Sequence, residues 1–178
     1  EVVAYGELER RSNQLAHLLR RHGLGRLDHF AIFMENNSRY LECCAAGERS
    51  GLYYTCINFY LTAEELAYVV NNSRSKALIT SRARREVALQ AIRQCPNVTL
   101  CLIVDGSGDE GPFVDFASAV ANCPGTPIAD ESLGAAMLYS SGTTGRPKGI
   151  LRPLPVEHPS HKLSVLGFVN KLWQYRDG

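Results

Sequence analysis

Short apolar runs separated by amphipathic stretches constrain this chain more than any other feature. Phe30-Ala-Ile-Phe-Met34, Ala77-Leu-Ile-Thr80 and Val98 to Val104 lack the polar alternation of a half-exposed strand, so strands built from them are buried on both faces. Between them lie segments with helical periodicity. Leu8, Leu15, Leu18 and Leu19 share one face of a first helix, with Gly23 as its left-handed terminator. Asn36-Asn37-Ser38 caps a second helix running from about Arg39 towards Gly51. Thr62 and Glu65 form a capping box, with Leu61 against Leu66 as its hydrophobic staple, for a helix to about Asn71. A basic helix from Arg82 to Gln94 buries Val87, Ala88, Ala91 and Ile92 and stops at Pro96. Tyr53 to Asn58 and Ala135 to Tyr139 read as further strands, Phe113 to Ala121 as a short helix, and Asn122 to Asp130 as a surface connection. The alternation predicts an α/β fold, a mostly parallel sheet flanked by helices on both faces.

Composition narrows the function classes. In 178 residues, 19 Lys plus Arg balance 18 Asp plus Glu to a formal net charge of +1, which excludes a strongly basic nucleic-acid coat and an acidic disordered tail. No nucleic-acid partner is expected. The six cysteines contain no C-x-x-C pair and read as reduced, mostly buried thiols. No apolar run reaches the ~18 residues of a transmembrane segment, so a cytoplasmic protein without a membrane span is expected. The chain opens at Glu1 without a methionine and stops at Gly178, and so reads as a fragment of something longer.

The chemistry is concentrated in Tyr139-Ser-Ser-Gly-Thr-Thr-Gly-Arg-Pro-Lys-Gly149, immediately after a strand. Three glycines permit positive φ and close backbone approach, so consecutive N–H groups can converge on an anion. Ser140, Ser141, Thr143 and Thr144 add hydroxyl donors, and Lys148 adds a positive charge behind the stiffening Pro147. Several charge-assisted bonds of roughly 1.5–3 kcal/mol each would hold a polyphosphate. The spacing is not that of a Walker A loop, which would require glycine where Pro147 stands. A glycine-rich hairpin without a ligand is the bland alternative; it does not account for so many donors and a lysine together.

The run Ser140-Ser-Gly-Thr-Thr-Gly-Arg-Pro-Lys-Gly149 resembles the phosphate-binding signature of the adenylate-forming superfamily, which includes acyl-CoA synthetases, luciferases and peptide-synthetase adenylation domains. Upstream, Tyr5-Gly-Glu-Leu-Glu-Arg-Arg-Ser-Asn-Gln-Leu-Ala, Gly51-Leu-Tyr-Tyr, Ile57-Asn-Phe-Tyr-Leu-Thr-Ala-Glu-Glu-Leu-Ala-Tyr and Lys76-Ala-Leu-Ile-Thr-Ser resemble fatty-acid–CoA ligases. The resemblance implies ATP-dependent activation of a carboxylic acid, a fatty acid foremost, to an acyl-adenylate, then transfer to coenzyme A as a thioester, with Mg²⁺ accompanying the ATP. It implies that Ser140, Ser141, Gly142, Thr143, Thr144, Gly145 and Lys148 hold the β- and γ-phosphates, and that Thr143 and Lys148 serve catalysis. It further implies that residues 1–178 are the N-terminal portion of the AMP-binding domain, an incomplete part of the large domain ending shortly after the loop at 139–149. The C-terminal domain and the adenine, ribose and metal sites are then absent, and no residue here is assigned to a metal. A chain so divided is expected to be inactive alone and to self-associate through uncovered apolar surface.

Other signals are weaker. Gly106-Ser-Gly-Asp-Glu-Gly111 matches G-x-G-x-x-G after a strand, the mark of a nucleotide-dependent oxidoreductase, but Asp109 and Glu110 would repel a pyrophosphate. His158 and His161 make a poor metal pair across Pro159. Arg82, Arg84 and Arg85 form a basic patch suited to a solvated helix face, with peripheral membrane contact or the nucleotide end of coenzyme A as the functional alternatives. Adjacent Cys43 and Cys44 read as packing residues. A non-catalytic remnant binding polyphosphate or a partner is the other reading of the whole chain.

Overall fold

The computed structural model describes residues 2–107, 110–140 and 146–160. Five helices and eight strands alternate in these segments: α1 (Tyr5–Arg21), β1 (His29–Phe33), α2 (Ser38–Arg49), β2 (Tyr53–Cys56), α3 (Ala63–Asn72), β3 (Ser75–Ser81), α4 (Arg85–Ile92), β4 (Leu100–Val104), β5 (Val114–Asp115), α5 (Phe116–Val120), β6 (Ala135–Ala136), β7 (Leu138–Ser140) and β8 (Lys148–Ile150). Six strands form a sheet in the order β5-β4-β3-β1-β2-β6, every neighbouring pair parallel. β7 and β8 form a separate antiparallel hairpin.

The apolar runs are buried on both faces, and their period of two divides the interior into two cores. Phe30, Ile32, Ala77, Ile79, Leu100 and Leu102 pack with Leu15 and Leu19 of α1, Cys43 and Ala46 of α2, and Phe116 of α5. Ala31, Phe33, Leu78, Cys101 and Ile103 face the opposite way, against Leu66 and Val70 of α3 and Ala88 and Ala91 of α4. Helices therefore cover both faces of a mostly parallel sheet, as the alternation predicts.

The helix ends follow the capping chemistry. Asn37 accepts a hydrogen bond from Tyr40 N at the start of α2. Thr62 and Glu65 close a reciprocal capping box at the start of α3. Gly23, at φ +78°, takes the left-handed conformation beyond α1. All six cysteines are free; Cys43, Cys95, Cys101 and Cys123 are buried, and Cys44 and Cys56 are partly exposed.

Four elements differ from the sequence reading. The basic segment begins with a 3₁₀ turn at Arg82–Arg84, a common form at helix ends, and α4 spans only Arg85–Ile92. Phe113 to Ala121 is not one helix: Val114 and Asp115 pair with Leu102 and Ile103, and Asp115 then caps α5 by accepting from Ser118 N. The connection at 122–130 buries Cys123 and Ile128 and hydrogen-bonds to α1, where Gln14 donates to the Cys123 carbonyl and Asn13 to that of Gly125. Ala135 to Tyr139 breaks at Met137; β6 pairs with β2, whereas β7 turns away to pair with β8.

Between α1 and α2, Glu42 is fully buried and held by Arg11 at 3.0 Å and Arg39 at 2.8 Å. At the entry to β6, a Cβ on Gly134 would overlap the Gly47 carbonyl oxygen and lie 2.5 Å from that of Leu52. Both obstacles are backbone, so neither can rotate away. Gly134→Ala is expected to destabilise the protein by at least about 2 kcal/mol, measured by urea denaturation; Gly6→Ala, with open space around it, serves as the near-neutral control.

Candidate functional site

Of the hydroxyl-rich run, Ser140 closes β7 and Lys148 opens β8. The register pairs Ser140 with Lys148, Tyr139 with Gly149 and Leu138 with Ile150. Directly opposed residues share a face, so Ser140 and Lys148 project from the same side of the hairpin, both exposed. Ser141, Gly142, Thr143, Thr144 and Gly145 lie outside the described residues.

Side chains of α3 fasten the hairpin. The Tyr68 hydroxyl donates to the Pro147 carbonyl at 3.1 Å, and Arg146 stacks over the Tyr68 ring at 5.4 Å. The Tyr139 hydroxyl donates to Asn72 Oδ1 at 2.7 Å, and burial pushes its pKa up to about 12. A Cβ on Gly149 would stand 3.0 Å from the Tyr139 ring and would overlap the Met137 methyl group. Gly149 thus lets the Tyr139 ring cross its partner strand. No local pattern marks Tyr68 and Asn72 for this role, because each partner is more than sixty residues away.

Beneath the hairpin is a cavity of about 250 Å³, lined at its base by Thr55, Cys56 and Asn58 from the carboxyl end of β2 and above by Tyr139, Ser140 and Pro147. Thr55 is buried, and its hydroxyl has no hydrogen-bond partner among the described residues. The carboxyl ends of parallel strands are where open α/β sheets bind ligands. Ser140, Lys148 and the cavity all lie at that edge.

The other candidates are engaged by the chain itself. Glu110 folds back to accept from Ser107 N at 2.8 Å and pairs with Arg85 at 2.5 Å; the Ser107 N–H foremost, then Arg85, holds its carboxyl below the usual range. A carboxylate of the chain thus occupies the glycine-rich turn where a pyrophosphate would sit, and β5 follows instead of a helix. Gly108 and Asp109 lie outside the described residues. Arg82 hydrogen-bonds to Ser107, and Arg84 stacks over Phe59 and Tyr60. His158 lies 3.1 Å from Glu131, and His161 is outside the described residues. No cluster of three or more potential metal ligands occurs among the described residues, nor is any of their helices long and apolar enough to cross a membrane.

A parallel sheet with helices on both faces, and an antiparallel hairpin at its carboxyl edge, define the chain as an α/β protein. A family model described as "AMP-binding enzyme" matches residues 1–153, and the chain belongs to that family. A medium/long-chain-fatty-acid–CoA/3-oxocholest-4-en-26-oate–CoA ligase of Mycobacterium tuberculosis (strain ATCC 25618 / H37Rv) is 29% identical over 157 residues, covering 85% of this chain and 29% of the relative. The mitochondrial acetyl-coenzyme A synthetase 2-like protein of Homo sapiens is 32% identical over 165 residues, covering 84% of this chain and 24% of the relative. Among solved structures, an anthranilate CoA ligase in complex with anthranoyl-AMP superposes with a TM-score of 0.72 at 20% identity, over 81% of this chain and 28% of the other. A fatty acyl CoA synthetase of Mycobacterium tuberculosis gives 0.69 at 23% identity, over 84% and 29%. The chain thus spans less than a third of the length of these relatives.

Tyr68→Phe removes the bond that holds the hairpin's second strand to α3. The expected outcome is a loss of about 1 kcal/mol in denaturant unfolding, with faster amide hydrogen exchange at residues 146–150 than in the parent.

Proposed function

We propose that the protein activates a carboxylic acid with ATP and passes the acyl group to coenzyme A. Residues 1–178 are then the N-terminal portion of the AMP-binding domain. The observation that carries this reading is the juxtaposition of Ser140 and Lys148 across the hairpin at the carboxyl edge of the sheet, which brackets the signature Ser141-Gly-Thr-Thr-Gly145. The CoA ligase names of the relatives support the reaction class, and a fatty acid is the acid we favour on the first of them.

In this reading the carboxylate oxygen of the acid attacks the α-phosphorus of ATP and pyrophosphate departs. Coenzyme A sulfur then attacks the acyl carbon and AMP leaves. Ser140, Ser141, Thr143 and Thr144 donate hydroxyl hydrogens to the β- and γ-phosphate oxygens, and Gly142 and Gly145 bring backbone N–H groups close to them. Lys148 neutralises the charge that grows on the departing pyrophosphate; Thr143 acts beside it. Donors fixed before the reaction lower its barrier because they need no reorganisation as that charge develops. Mg²⁺ would shield the phosphates, and its ligands are assigned to no residue of this chain. Tyr68 and Asn72 of α3 hold Pro147 and Tyr139, which flank Ser140 and Lys148, against the helix.

The bond between Glu110 and Ser107 N counts against the dinucleotide-dependent oxidoreductase. A chain that binds polyphosphate without turning it over is distinguished by experiment. Pyrophosphate release from ATP is measured with a panel of carboxylic acids, on the 178-residue chain and on the longest chain its gene encodes. Release by the long chain is expected, with Lys148→Ala and Thr143→Ala each lowering it by roughly 10²-fold or more. Release unchanged by both variants would overturn the assignment. Binding of ATP without release from either chain would favour the remnant.

A further inference from the structure

Cys44 on α2 and Cys56 at the carboxyl end of β2 place their Sγ atoms 3.9 Å apart. They are the two partly exposed cysteines of the chain; the other four are buried. A disulfide needs an S–S separation of about 2.0 Å, so the sulfurs must close by about 2 Å. The two residues are separated by twelve positions, and the intervening turn at Ser50–Leu52 holds α2 and β2 together through the Leu52 N–H to Gly47 carbonyl bond.

The surroundings treat the two sulfurs unequally. Hydrogen bonds from the Cys44 thiol and the Tyr40 hydroxyl lower the pKa of Cys56, whereas the hydrogen bond with Cys56 and burial push Cys44 up. Burial pushes neighbouring Cys43 up as well. Glu48 is the facing carboxylate and opposes the Cys56 thiolate. The asymmetry favours the thiolate at Cys56, and the Cys44 sulfur lies 3.9 Å away, within reach of it, as a resolving cysteine lies beside an attacking one.

We propose that Cys44 and Cys56 form a reversible redox modification site, in which a peroxide converts the two thiols to a disulfide tying α2 to the carboxyl end of β2. Cys56 sulfur attacks one peroxide oxygen, the O–O bond breaks, and a sulfenic acid and one water form. Cys44 sulfur then attacks the sulfenic sulfur, giving the S–S bond and a second water. Two thiols lose two electrons and two protons, and the peroxide accepts both. Because Cys56 also lines the cavity under the phosphate hairpin, the cross-link fixes one wall of that cavity.

Peptide mapping tests this without reference to catalysis. Cys43 and Cys44 share the tryptic peptide 40–49, and Cys56 is the sole cysteine of peptide 50–74. After brief exposure of the full chain to hydrogen peroxide and alkylation under non-reducing conditions, the expected product is the 40–49/50–74 cross-link. Fragmentation should place it at Cys44, and dithiothreitol should reverse it. In Cys44→Ser, Cys56 is expected to accumulate as a sulfenic acid that dimedone traps. Full alkylation of both thiols after peroxide, or a cross-link through Cys43, overturns the proposal. If a variant fails to fold, the parent chain's map decides alone. Loss of pyrophosphate release with an intact map would sink the ligase reading and leave this one standing.

Discussion

Everything in the fold is arranged around the central strand β1, which has a parallel neighbour on each side and a helical layer on each face. Its backbone groups are paired on both edges, and Phe30, Ile32 and Phe33 are fully buried. Such a strand cannot form first and wait, because neither its edges nor its faces are satisfied until β2, β3 and their helices have arrived. The buried Glu42 belongs to the same assembly. Removing either arginine would leave part of its charge uncompensated in the interior, so the carboxylate holds α1 and α2 in the one arrangement that pairs it.

The chain leaves β1 towards β2 through α2, then crosses back through α3 to place β3 on the other flank. This reversal puts α3 and α4 on the face opposite α1 and α2. It also leaves α3 beside the carboxyl end of β2, where Tyr68, Val69 and Asn72 receive the β7–β8 hairpin. The site's position therefore follows from the order of crossings, and the loop's chemistry is an addition to a scaffold already specified by the apolar runs.

Those runs make the sheet, the two helical layers and the Thr62–Glu65 cap legible from residue order alone. The run from Ser140 to Lys148 stands out as chemistry, since few sequences need so many small donors beside one lysine. What residue order conceals depends on contacts distant along the chain. Val114 and Asp115 become a strand only because Leu102 and Ile103 present a free edge, and the Asp115 cap then delays α5. The break at Met137 has the same origin: Ala135 and Ala136 belong to β2, whereas Leu138 to Ser140 find their partner beyond the loop. No local pattern distinguishes one five-residue strand from two shorter ones pointing at different partners. The expected surface connection after α5 is partly buried for a similar reason, because Gln14 and Asn13 hold it down from over a hundred residues away.

The pairing of Tyr139 with Gly149 gives the hairpin a parity. Tyr139 faces α3, and the bare Gly149 opposite leaves room for its ring; Ser140 and Lys148, one step along, share the opposite face. Gaining or losing a single residue within either strand would turn that strand's side chains over. It would drive Lys148 towards Tyr139 and strip the loop's base of its charge. Length changes that preserve the arrangement are confined to the tip between Ser140 and Lys148, or come in twos. A frame counted in pairs of residues thus decides the two strands by geometry and leaves the tip between them to be decided by its chemistry.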